Sequence, residues 1–383
     1  MVGASLACAL QVSNLNIALI DAAPLVIQDD PRLIALNHSS VNLFKNLGIW
    51  EHLKPFAAPI LQVHISDRGQ FGMTRLNAQE AGVDALGHVV PAKNINATLE
   101  QILTSHNKIK IFRPAAVTKI LTTPDHVNIT VTTDTGEIEL PANTIIAADG
   151  THSTVRAEAG IKTETKEFKQ SALVTVTTLQ RPHANIAYER FHASGAVAML
   201  PLPGLQVATI WTDDNAVIDN LMQLDDAAFV ARLQNQFGYR CGKLLATGKR
   251  SRYPLHHITA AKTISERIIL IGNAAHTFHP IAAQGFNLAL AEIAMLAQMI
   301  NTNPAQTHWA DYQSWQAGRQ QTSQRLSDQL PRLFSQDFLP VKLARQLGML
   351  GLDIVAPLKN RFALAAMGKM AGMPRLLLDH DEQ

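Results

Sequence analysis

Apolar positions along the 383-residue chain follow two rhythms, one of helical spacing and one of period two, and their order predicts the architecture. The first ten residues read as a helix, and Asn16 to Asp21 (NIALID) reads as a buried parallel strand ending on an acid. From Ile60 to Val90 the chain breaks into short alternating segments punctuated by Gly69, Gly72, Gly82 and Gly87, as antiparallel strands do. Helical spacing returns from Asn94 to Leu103. Ile109 to Ile120, Val127 to Thr132 and Glu137 to Leu140 read as strands, with a turn at Asp134-Thr135-Gly136. They lead into another apolar strand, Thr144 to Ala148. Alternation resumes between Leu173 and Trp211, where Met199-Leu-Pro-Leu-Pro-Gly204 predicts a rigid turn. Arg267 to Ile271 (RIILI) is a buried strand; after a loop, a helix apolar nearly all round runs from Gly285 to about Ile300. Beyond Thr307 the chain is mostly helical. Nucleotide-type helix and strand units are thus discontinuous, with antiparallel insertions between them.

Composition narrows the class. The length allows a sizeable core and favours two intertwined domains with a terminal extension. With 47% hydrophobic and 17% charged residues the chain is globular, and a formal charge of +2 argues against a nucleic-acid binder. Cys8 and Cys241 are too few for a disulfide framework or a thiolate metal site, which fits a reducing, cytoplasmic setting. No segment reaches the roughly 18 uncharged apolar residues of a membrane span, so a soluble or peripheral protein is expected.

Three passages carry chemistry. Gly3, a small-residue helix and then Asp21 stand as the second half of a dinucleotide fingerprint does, with the glycine allowing close helix–strand packing and the acid reaching ribose hydroxyls. The strand and the first two glycines that would cradle a pyrophosphate are expected to precede Met1, and without them neighbouring strands would expose unpaired edges. Asp149-Gly150 directly follows a strand and is accompanied by Ser153 and Arg156, a turn able to approach a phosphate. The most specific passage is Gly272-Asn-Ala-Ala-His-Thr-Phe-His-Pro-Ile-Ala-Ala-Gln-Gly-Phe-Asn287, running from strand through loop to helix. A helix N-terminus there suits the negative charge of a reduced isoalloxazine, with Gly285 letting the ring approach the backbone and Pro280 fixing the loop. His276 and His279, near His256 and His257, invite a metal reading; without acidic or thiolate partners at ligand spacing, no metal is expected. No triad or nucleophile elbow is present, as expected where a cofactor does the chemistry.

Together these residues resemble, over nearly the whole chain, the flavoprotein aromatic hydroxylases of the para-hydroxybenzoate hydroxylase fold. They are most similar to the ubiquinone-biosynthesis hydroxylases, in the branch of 2-polyprenyl-6-methoxyphenol hydroxylases, where Asn also replaces the usual Asp at the position of Asn273. Asp30-Pro-Arg32-Leu-Ile-Ala-Leu36 and Leu47-Gly-Ile-Trp50 resemble that family's flavin-proximal arginine and the helix after it. The resemblance implies an α/β fold: a Rossmann-like FAD-binding domain (1–60, 91–165 and 265–305), an interleaved antiparallel-sheet substrate domain (61–90 and 166–264), and a helical C-terminal segment (306–383).

It also implies that Gly3, Asp21, Arg32, Asp149, Gly150, Gly272 and Asn273 bind FAD. His276, Pro280, Ala283, Gln284, Gly285, Phe286 and Asn287 would form the flavin face and active-site loop, with no acid or base nameable. Ala283 and Ser39 stand where relatives usually have glycine, so a positive φ there would cost about 1 kcal/mol or more. The absent first strand implies a start inside the fingerprint itself.

The implied reaction uses NAD(P)H or another donor, O₂ and a flavin C4a-hydroperoxide to hydroxylate a prenylated phenol. A related hydroxylase or reductase, and a non-catalytic FAD-deficient scaffold or lipid-binding subunit, remain as alternatives. Implied partners are a ubiquinone-biosynthesis complex and the inner membrane, touched peripherally from the cytoplasm. For that contact the stretch from Pro331 to Leu378 is suggestive: seven basic residues oppose Asp337 and Asp353, while Leu343, Leu347, Leu350 and Ile354 recur at helical spacing and Leu376-Leu-Leu378 follows.

Overall fold

A computed structural model describes residues 1–24, 30–105, 107–277, 284–302, 309–336 and 338–379. Its parallel part consists of two small sheets. Ile17–Ile20 pairs with Ile109–Phe112, and Ile145–Ala147 pairs with Ile268–Leu270, which also carries Ile264–Ser265 on its far side. The facing edges of Ile17–Ile20 and Ile145–Ala147 have no ladder partner among the described residues. A cleft of about 1820 Å³ opens there, lined by Ala18 and Leu19 on one side and Ile145 and Ile146 on the other. The helix Val2–Leu10 lies against it: a methyl added to Gly3 would touch Leu19 at 3.5 Å and Ala148 at 3.6 Å. Those are ordinary contacts, so glycine is not demanded by packing at this position.

Behind the cleft lies a core of Leu6, Cys8, Leu10, Phe44, Leu99, Ile293 and Leu296, which joins the first helix to Gln284–Thr302. Cys8 is fully enclosed, and burial pushes its thiol up to about 12, as befits a packing residue.

Among the described residues a nine-stranded sheet forms the second layer. Its order runs His276–Thr277, Ser251–Ala260, Thr163–Leu179, Gln206–Asp214, Gly195–Pro201, Ile186–His192, Gln62–Asp67, Met73–Asn77, with Leu244–Thr247 added beside Thr163–Leu179. The join between Ile186–His192 and Gln62–Asp67 is parallel, and the other pairings are antiparallel. One face is sealed by the helices Asn215–Gln223 and Asp226–Phe237, which pack on Leu173, Val197, Met199 and Trp211. The other looks toward a small sheet of Leu33–Asn37, Gly87–Pro91 and Ala58–Ile60, meeting it at Ile60, Val89, Ala187 and Ala208.

Several sequence expectations are corrected. Ile109 to Ile120 is two strands: the ladder breaks at Arg113-Pro114, since proline has no N–H to donate, and Ala115–Thr122 joins an antiparallel sheet with Val127–Thr133 and Gly136–Ala142. The turn expected at Met199 to Gly204 begins later, because the strand runs through Pro201 and only Gly204, at φ +75°, takes a left-handed turn conformation. Ser39 is helical within His38–Asn46 and absent from the positive-φ residues, so no strain arises from its side chain. Leu376 to Leu378 is not a surface cluster: the turn Arg375–Leu377 buries Leu377, and Asn46 Nδ2 donates to the carbonyls of Leu376 (3.0 Å) and Leu378 (3.1 Å).

Candidate flavin site

The site grows from the ends of three strands. Asp21 follows Ile17–Ile20; its Oδ2 accepts from Arg113 Nη2 at 3.0 Å and its Oδ1 from Ala23 N at 3.1 Å. Arg113 also holds Glu100 at 2.7 Å, which fixes the guanidinium, while the Asp21 side chain stays 45% exposed to the cleft. Sequence reading missed Arg113 and Glu100 because their link to Asp21 is one of space, not spacing. Arg32 lies across the same cleft, where Asp30 accepts from its Nε at 2.9 Å and its Nη2 at 2.6 Å. That bond holds the Asp30 carboxyl below the usual carboxylate range.

The Asp149-Gly150 turn follows Ile145–Ala147. Gly150 takes φ +87°, a left-handed conformation that a side chain would strain. Asp149 Oδ2 accepts from Val155 N at 3.1 Å and Ser153 Oγ from Arg156 N at 2.9 Å, so both cap the short helix Thr154–Glu158. Arg156 then does what its sequence position could not reveal. Its Nη1 donates to the Ala274 carbonyl (2.9 Å) and its Nη2 to the Thr151 carbonyl (2.8 Å), fastening the Asp149-Gly150 turn to the Gly272-Asn273 turn. Asn273 Nδ2 approaches Thr151 Oγ1 at 3.4 Å and is exposed. Gly272 has φ +56°, and a Cβ there would also sit 3.3 Å from Val2 of the first helix.

Of the expected flavin-face residues, Pro280 and Ala283 lie outside the described residues, and Gln284 begins the helix Gln284–Thr302. Gly285 has open space where a Cβ would be, and Phe286 is half-buried against the core. Two others are turned inward instead. Asn287 Oδ1 accepts from Asn37 N at 2.9 Å and its Nδ2 donates to the Ala35 carbonyl at 2.8 Å, tying the helix to Leu33–Asn37. His276 is buried, with Nε2 at 2.7 Å from Glu292 Oε1. Glu292 is fully enclosed, and it also accepts from Gly272 N at 2.8 Å and Gln316 Nε2 at 2.8 Å. This carboxylate holds the Gly272 turn from behind, a role invisible in the sequence because its partners stand 16 to 24 residues away.

A family described as FAD binding domain matches residues 1–330. A ubiquinone hydroxylase, UbiL of Rhodospirillum rubrum, is 31% identical over 97% of this chain and 88% of its own length. The 3-demethoxyubiquinol 3-hydroxylase of Escherichia coli is 27% identical over 96% of both chains. Among solved structures, the p-nitrophenol 4-monooxygenase PnpA of Pseudomonas putida superposes with a TM-score of 0.78 at 15% identity, covering 96% of this chain and 95% of that one. The chain therefore belongs to the FAD-binding domain family, among the ubiquinone-biosynthesis hydroxylases, and has the fold of FAD-dependent aromatic hydroxylases.

Proposed function

We propose that this chain hydroxylates a phenol ring carrying a prenyl chain, in ubiquinone biosynthesis, with FAD, O₂ and NAD(P)H or another electron donor. The observation that carries the reading is the meeting of the Asp149-Gly150 and Gly272-Asn273 turns, fastened by Arg156, beside a cleft that Asp21 and Arg32 also line.

The residues present fit FAD. The helix Val2–Leu10 has no side-chain cap, so its first N–H groups are free to meet a phosphate. The Met1 amino group at that end is lowered by burial, and it feels Asp21, Arg32, Arg113 and Asp30. Asp21, clamped by Arg113, is suited to ribose hydroxyls, Arg32 to the negative charge of the cofactor, and the exposed Asn273 to its polar chain. When bound, FAD stores the donor's electrons and activates O₂. The chain's own work is to orient the phenol and keep water away from it, which the apolar face of the nine-stranded sheet opposite Leu33 and Ile60 suits.

The reading includes peripheral membrane contact, since a prenylated substrate resides among lipid chains. No described helix is long and apolar enough to cross a membrane. The helix Leu339–Ile354 instead presents Leu339 (75% exposed), Leu343 (53%), Leu347 (57%) and Ile354 (76%) to the outside.

The test supplies FAD-loaded protein with a prenylated phenol, NAD(P)H and isotopically labelled dioxygen. The expected product gains one labelled oxygen atom. Protein that binds FAD, cycles it through reduction and reoxidation, and labels none of a series of prenylated phenols would overturn the reading.

A further inference from the structure

The face of the nine-stranded sheet that looks toward Leu33 is apolar yet not closed: Ile65, Ala198, Leu200 and Ile210 all keep accessible surface. Its opposite face is closed, with Val197, Met199 and Trp211 sealed beneath helices. In the middle of the open face stands Glu189, flanked in register by Ile65 on one neighbouring strand and Ala198 on the other. Along its own strand Ala187 packs toward the small sheet and Phe191 toward Phe334 and Met349 of the C-terminal helices. Glu189 therefore lies between the small sheet and the C-terminal helices.

Its carboxylate makes no hydrogen bond or ion pair with any described residue, and burial alone pushes its pKa up to about 7. Around it the small sheet presents Leu33, Ile60 and Val89, and the C-terminal helices present Phe334, Met349 and Arg345. Arg345 is already taken by Asp67 at 2.7 Å, and Asp67, at the end of the same face, also accepts from Gln346 at 2.8 Å. Glu189 is half-buried, and its register neighbours Ile65 and Ala198 offer its carboxylate no donor. An unpartnered carboxylate in such a place is costly, and a ligand that supplies a donor relieves the cost.

We propose that the Glu189 carboxylate receives the hydroxyl group of the phenol substrate and acts as its general base. In that step the phenol O–H bond breaks and a Glu189 O–H bond forms. The electron pair stays on the phenolate oxygen and delocalises into the ring, making the carbons ortho and para to it more nucleophilic. Nothing is oxidised or reduced in the transfer, and the proton passes to water after the product leaves. A carboxylate raised toward neutrality is a stronger base for a phenol than an ordinary one. The proposal rests on the phenol hydroxylase reading above.

The experiment compares FAD-loaded wild type, Glu189→Gln and Glu189→Asp. A base works only when ionised, so wild-type kcat/KM is expected to rise with pH through about 7. In Glu189→Gln that limb disappears and kcat/KM falls about 100-fold with flavin content and Tm retained, while Glu189→Asp recovers part of the rate. A chromogenic phenol bound to the oxidised holoenzyme absorbs more like its phenolate in wild type than in Glu189→Gln. If Glu189→Gln matches wild type in rate, pH limb and spectrum, the proposal is overturned. If wild type turns over no phenol but still ionises the bound chromophore through Glu189, the reading of the reaction falls and this site stands. Should wild type bind no phenol at all, both fall.

Discussion

At the scale of single residues, the two turns that meet beside the cleft depend on groups of different kinds. Glu292 accepts from Gly272 N and Gln316 Nε2 and meets His276 Nε2 inside the protein, so Glu292→Ala would remove an acceptor from a buried network and leave Gln316 Nε2 with its longer bond to the Leu270 carbonyl at 3.3 Å. Breaking a buried network of this type costs about 3–5 kcal/mol, to be read from denaturant unfolding; a loss under about 1 kcal/mol would show that the turn stands without it. Asn273 is the opposite case, exposed and reaching only Thr151, at 3.4 Å, among the described residues. Asn273→Asp is expected to change FAD binding by less than about 2 kcal/mol, because the Thr151 hydroxyl can reverse from acceptor to donor. Asn273→Leu, with neither donor nor acceptor, is expected to lose flavin; full flavin content and turnover in that variant would displace this residue from the site. The glycines and the asparagine of the motif were legible in the sequence, since their types follow from backbone conformation and hydrogen bonding. Arg113, Arg156 and Glu292 were not, because each acts on a partner reached only through the fold.

At the scale of elements, the C-terminal helices show how far composition can mislead. The basic excess after Pro331 suggests an electrostatic membrane surface, yet Arg345 is buried on Asp67, Lys359 pairs with Glu80 at 2.6 Å, and Lys369 with Asp379 at 2.7 Å. What remains outward is chiefly apolar. One face of Leu339–Ile354 packs inward through Arg345, Gln346 and Met349, and the other exposes Leu343 and Leu347. Removing residues 331–383 would therefore uncover Asp67 and Phe191 and is expected to unfold the protein. Leu343→Ser with Leu347→Ser is the discriminating change. Sedimentation with anionic liposomes is expected to fall several-fold with Tm retained, and salt is expected to weaken wild-type binding only modestly, since Arg345, Lys359 and Lys369 are already paired within the protein. Binding unchanged in the double variant would sink the membrane reading.

At the scale of the whole molecule, the parallel layer is open between Ile17–Ile20 and Ile145–Ala147, whose facing edges have no ladder partner among the described residues. The cleft between them is lined by Asp21, Arg32, Asp149 and Gly150, and a ligand that binds only the folded protein there stabilises it. Saturating FAD is therefore expected to raise Tm by several degrees. An unchanged Tm with FAD in excess would refute this.

The sequence by itself determined the elements and their local chemistry. Apolar period marked NIALID, RIILI and the long helix near residue 290, and glycine placement marked the turns at Gly150 and Gly272, because these depend on side chains and dihedrals within a few residues. It misplaced the break at Pro114 and the turn near Gly204, where pairing across strands decides how far a strand continues. Only the tertiary structure decided which groups meet. It tied His276 to the buried Glu292 and Asn287 to the strand Leu33–Asn37, and placed Glu189, with no partner among the described residues, on an open apolar wall. The reason is physical: whether a polar side chain is a support or a reactive group depends on the partners and the solvent around it, and these come from residues distant along the chain.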